Sequence, residues 1–173
     1  MYVTPAHLAE LPGAQEISQV ATAEHAAQLV DYELMDLTLR GGDRSAYPPD
    51  GIAAADAALA RVNEAIKNAS STIDGFLRMR GYTLPLSPVP EIVSTWARAI
   101  ARYMLHRHRL SVEQNDPIVR DYSDALKFLR LVADGKFSLG ANDPVAPTGG
   151  GSPQHCAPPR VFDQQTLRDF TDL

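Results

Sequence analysis

Four sets of residues in this 173-residue chain have side chains suited to chemistry. The first is HRHR at 106–109. His106 and His108 stand two apart, which on a helix separates them by about 200°. A helical metal pair wants i,i+3 or i,i+4 spacing, so they make a poor ligand set. The second is Cys156 beside His155, half of a thiol dyad. Neighbours in a loop rich in proline and glycine are not held in the geometry a nucleophile needs. The third is Asp43 with Asp50 in a glycine-rich loop. The alternating oxygen ligands and closing glutamate of a calcium loop are missing. The same loop lacks the Gly-Lys-Ser/Thr ending of a phosphate loop. The fourth is the basic run Arg98, Arg102, Arg107 and Arg109, the one feature suited to DNA. Arg98 and Arg102 are i,i+4 neighbours, and Arg109 lies three turns beyond Arg98. Few aromatics interleave them, and no helix-turn-helix precedes them. The plainer reading pairs these arginines with acidic groups, within the fold or on a neighbouring copy. No catalytic, metal or cofactor site emerges.

Composition bounds the class. Hydrophobic residues make up 45% and net charge is −5, with an isoelectric point near 5.5. That is a globular chain whose overall sign opposes nucleic-acid clamping. A single cysteine excludes an intrachain disulfide and suits a reducing compartment. The opening MYVTPAHLAELPG lacks the basic start and apolar run of a secretory signal. No apolar run reaches the length of a membrane helix. The expectation is a soluble, intracellular protein.

The pattern along the chain is helical. Thr4-Pro5 is a cap followed by a first-position proline, opening a short helix that stops at Pro12-Gly13. A second helix is predicted over 22–39, capped by Thr22, with Ala26, Leu29, Val30, Leu34 and Leu37 as its stripe. Residues 41–51, GGDRSAYPPDG, are a loop. Over 52–79, Leu59, Val62, Ile66, Ile73, Phe76 and Leu77 recur at three and four on an alanine-rich helix that Gly81 ends. Prolines at 85, 88 and 90 make 82–91 a stiff extended crossing. The fourth helix is predicted over 91–110, with Ile92, Val93, Trp96, Ile100, Tyr103 and Met104 on one side. The fifth spans 116–134, capped by Asp116, with Ile118, Tyr122, Ala125, Leu126, Leu129 and Val132 as its stripe. The fold class is therefore all-α: a small bundle of about five helices, the helices at 52–79, 91–110 and 116–134 forming its core.

Residues 141–160 change character. Five prolines and three glycines mark a linker between the helical domain at 1–140 and a terminal segment at 161–173. In that segment Asp163 can cap a short helix, and Val161, Phe162, Leu167 and Phe170 supply an apolar set. A tethered apolar peptide is a docking element for another surface, or for its own domain. Charge is also split: residues 1–95 carry net −6 and residues 96–140 net +3. Subunits meeting head to tail show such a division, and so do ordinary solvated helix faces.

Several stretches together resemble the head–tail connector (adaptor) proteins of Mu-like tailed phages and prophages. They are MYVTPAHLAEL, STIDGFLRMRGYTLPL, VSTWARAIARYMLHRHR, DYSDALKFLRLVADGKFSLG and RVFDQQTLRDF. The resemblance implies an all-helical structural virion protein without enzymatic activity or cofactor. It implies a ring of its own copies, commonly a dodecamer, beneath the portal protein at the virion neck. There it would join the head to the stopper or tail-completion protein, with DNA passing only as cargo and no membrane involved. The C-terminal segment would contact the portal or a neighbour. The arginines at 98, 102, 107 and 109 would face another subunit or the channel. One departure is the loop RGGDRSAYPPDG, where relatives are often rich in aspartate. The alternative from the residues themselves is a small helical DNA-binding regulator.

Overall fold

The computed structural model describes residues 1–22, 29–107, 116–140 and 143–144. Every regular element among them is a helix. The helices are α1 (Pro5–Leu8), α2 (Ala14–Ala21), α3 (Tyr32–Arg40), α4 (Pro49–Arg80), α5 (Glu91–His106) and α6 (Pro117–Ala133). The all-α bundle expected from sequence is what forms.

α4 is the organising element. Its 32 residues reach about 48 Å at 1.5 Å each. Ala55, Ala58, Val62, Ile66, Ala69, Ile73 and Leu77 are buried along it at three- and four-residue intervals. The small residues at 55, 58 and 69 let neighbouring helices approach closely. α5 and α6 pack against α4 and each other, while α1, α2 and α3 cover the rest of it. Gly81 adopts a left-handed conformation (φ +94°), and its N–H bonds back to Leu77 and Arg78, closing the helix where the sequence signals it. Asp116 caps α6 through Ile118 N–H at 2.8 Å, with Pro117 in the first position.

The N-terminal third departs from expectation. Thr4 does cap α1, its Oγ1 accepting from His7 N–H. Pro12 and Gly13 do not end the helical region, however. After a wide turn over Ala9–Gly13, with Leu11 in an extended conformation, α2 starts at Ala14. Thr22 does not cap the next helix. It closes α2, its hydroxyl donating to the Ser18 carbonyl. The cap of α3 is Asp31, whose carboxylate accepts from Glu33 and Leu34 N–H at 2.8 and 3.2 Å. Among the described residues, the part of the expected 22–39 helix that forms is α3, starting at Tyr32. Leu29 is exposed and Ala26 lies outside the described residues.

The core extends further than the three expected helices. Val3, Leu8, Ile17 and Met35 are fully buried with Val62, Ile66, Ile73, Val93, Ile100 and Leu129. Tyr2 donates its hydroxyl to Asp74, fastening the N-terminus to α4. Ile92 is a correction: it is 38% exposed, because the buried stripe of α5 starts one residue later, at Val93. Leu59, Phe76, Tyr103, Ile118, Tyr122 and Leu126 are half-buried. Among the described residues, no helix is long and apolar enough to cross a membrane.

Candidate functional site

A groove of about 540 Å³ lies between the turn before α2, α5 and α6. The turn contributes Leu11 and Pro12, and α2 contributes Glu16. Thr95, Trp96, Arg98, Ala99 and Arg102 line it from α5, and Asp121, Asp124, Ala125 and Phe128 from α6. The Trp96 ring stacks on Phe128 at 6.0 Å and 13°. Phe137, returning after α6, meets both rings edge-on at 6.0 and 5.7 Å. Such pairs gain about 0.5–1.5 kcal/mol beyond area burial. Leu11 and Phe128 remain exposed at the rim.

An ion cluster lies along the same groove. Glu16 accepts from Arg102 Nε and Nη2 at 2.6 and 2.7 Å, a fork-on-carboxylate pair. It also accepts from His106 Nε2 at 2.8 Å, which fixes the tautomer with a proton on that nitrogen. Arg102 and His106 reach one carboxylate because they are one helical turn apart. Burial pushes the Glu16 carboxyl up, but the hydrogen bonds from Arg102 and His106 outweigh it and hold the group below its usual value of 4.5. The bond to Glu16 likewise raises Arg102. Chemically this is a structural tie between α2 and α5.

The structure divides the basic run. Arg102 pairs within the fold, one of the two arrangements the sequence leaves open. Arg98 lines the groove, and its Nε is buried with no hydrogen-bond partner among the described residues. Arg107 is exposed at the end of α5. His108 and Arg109 lie outside the described residues, as do His155, Cys156 and the docking set Val161, Phe162, Leu167 and Phe170. Asp43 forms a local turn, accepting from Ser45, and Asp50 sits in the first turn of α4. Asp143 and Pro144, in the stretch read as linker, are held on the body by the Tyr82 hydroxyl and Arg80 Nη2.

Sequence reasoning missed Glu16, Leu11, Asp121, Asp124 and Phe128. The signal for Glu16 was present: Ala14, Ile17, Ser18 and Ala21 repeat at three and four after Gly13, the pattern of a helix with Glu16 at its edge. Residues 2–155 match the protein family described as Bacteriophage Mu, Gp36. The chain belongs to that family. It is also similar to the Mu-like prophage FluMu protein gp36 of Haemophilus influenzae, with 43% identity over 84 residues. That alignment covers 49% of this chain, and the chain spans 56% of the relative's length. The Gp36 family membership makes this a Mu-like phage protein.

Proposed function

We propose that this chain is a structural virion protein, a head–tail connector of a Mu-like phage or prophage. Copies form a ring, a dodecamer by the resemblance, beneath the portal protein. The ring joins the DNA-filled head to the stopper or tail-completion protein at the virion neck, after assembly in the host cytoplasm. It performs no catalysis and takes no cofactor, and DNA passes through it only as cargo. The observation that carries this reading is the family match over residues 2–155, on a chain whose quoted motifs resemble connector proteins.

The split of charge supports assembly by complementary faces. Part of it is satisfied inside each subunit, where Glu16 of the acidic half meets Arg102 of the basic half. Arg98, Arg107 and Arg109 are then the candidates for neighbour or channel contacts. The set Val161, Phe162, Leu167 and Phe170 is the candidate contact to the portal or a neighbouring subunit. Contacts that are weak singly add up in a ring, because each closing contact forms at high effective concentration.

The test is genetic and visual. A phage lacking this chain should yield filled heads and separate tails under the electron microscope, and the purified protein should give a ring by native mass spectrometry. Complete tailed particles formed in its absence would overturn the connector role.

A further inference from the structure

The groove between α2, α5 and α6 has the features of a peptide seat that the described residues leave unfilled. Its floor and rim are apolar, built on Leu11, Trp96 and Phe128, with Leu11 60% and Phe128 41% exposed. Its two long walls differ in charge. The α5 wall carries Arg98, whose Nε has no hydrogen-bond partner among the described residues. The α6 wall carries Asp121 and Asp124. An occupant should therefore present an apolar ridge with a carboxylate on one side and a cation on the other.

Residues 161–173, VFDQQTLRDFTDL, have that pattern. On a helix capped at Asp163, Leu167 and Phe170 form one ridge. Arg168 and Asp169 then fall about 130° to either side of it. In one direction of the helix Asp169 leaves the ridge on the Arg98 side and Arg168 on the side of Asp121 and Asp124, each at the mouth of the groove. The tether also suits. Phe137 packs on Trp96 and Phe128, which line the groove, and Pro144 is fastened to Arg80 at 3.1 Å. From Pro144 to Val161 is 17 residues. They reach about 23 Å as a coil and about 56 Å at most, against a radius of gyration of about 14 Å for a body of this size. A tether of that length supplies its own peptide at an effective concentration near millimolar.

We propose that segment 161–173 docks in the groove of its own chain, with Leu167 and Phe170 against Leu11, Trp96 and Phe128, and Asp169 accepting from Arg98. Docking covers an apolar set that would otherwise promote aggregation. It also makes binding of the segment to any other surface a competition with the groove. The family match over residues 2–155 includes the groove and stops short of the segment. It does not depend on the connector reading, because it belongs to the isolated chain.

Trp96, the one tryptophan, is the reporter. A nitroxide label is placed on the full-length Cys156→Ser, Thr171→Cys chain, where it quenches Trp96 emission only at short range. The expected result is quenching of about twofold or more, unchanged over a roughly hundredfold dilution, as a tethered contact requires. Leu167→Ser with Phe170→Ser should abolish it. Arg98→Glu should weaken it, and Asp169→Arg should restore it in the Arg98→Glu background. Circular dichroism of each variant checks that the body stays folded. Absence of quenching at every concentration overturns the proposal. So does quenching that fades on dilution, which makes a neighbour's segment the occupant, or quenching that survives loss of Leu167 and Phe170.

Discussion

Glu16→Gln isolates the charge that ties α2 to α5. In the native chain one carboxylate accepts three hydrogen bonds, at 2.6, 2.7 and 2.8 Å, from residues 86 and 90 positions away. The amide keeps one carbonyl acceptor, loses the charge and turns an NH₂ group toward a donor. Hydrogen bonds to charged groups contribute about 1.5–3 kcal/mol each. The side chains of Glu16 and Arg102 are 25% and 30% exposed, so water screens part of this. A net loss of about 2 kcal/mol follows at neutral pH, or about 4–8 °C in Tm for a chain of this length. The folded carboxyl lies below its usual value of 4.5. Its contribution is therefore present above that value and is lost as pH falls through the folded one. The Tm difference between wild type and Glu16→Gln should shrink toward zero as the pH is lowered through that window. Thermal melts by far-ultraviolet circular dichroism at a series of pH values measure it. A difference that stays constant with pH, or none at neutral pH, would refute a charge-based tie.

Trp96→Ala should cost about 3–5 kcal/mol, since it empties the ring that Phe128 and Phe137 pack against; chemical denaturation measures the loss. Gly81→Ala should destabilise by about 1–2 kcal/mol through its left-handed backbone alone, because an added Cβ meets nothing within 4 Å. Gly75→Ala, on an exposed part of α4 with no positive φ and equal room, should stabilise by about 0.5–1 kcal/mol in the same assay. A chain ending after Pro144 keeps the Tyr82 and Arg80 contacts and should retain the native helix signal per folded body, yet fail to join heads to tails. Infectious particles assembled with that truncated chain would show the segment beyond it to be dispensable.

Helix identity was legible wherever local chemistry and periodicity agreed. Asp116-Pro117 and Gly81 mark their helix ends with side-chain and backbone devices that need no tertiary context. The stripe from Val62 to Leu77 marks α4 in the same way. Agreement broke down between Pro12 and Asp31. Pro12-Gly13 reads as a stop, but the chain bends there through extended Leu11 and begins a new helix. Thr22 is as good a cap in sequence as Asp31, and only the fold distinguishes them: Thr22 turns its hydroxyl back onto the Ser18 carbonyl.

The groove was less legible than the helices for a physical reason. Periodicity says which face of a helix is apolar, not which other face it will meet. Arg98 and Arg102 look equivalent in sequence, one turn apart on the same helix. In the fold, Arg102 meets Glu16 and Arg98 does not. The difference comes from α2, which brings a single carboxylate within reach of Arg102 and His106 together. That pairing engages Arg102 and leaves the buried Arg98 Nε without a hydrogen-bond partner among the described residues. A charged run that reads as one patch is therefore two features, a structural tie and an open donor. Arg98 lines the groove together with Asp121 and Asp124, so opposite charges from α5 and α6 border one cleft beside Trp96 and Phe128.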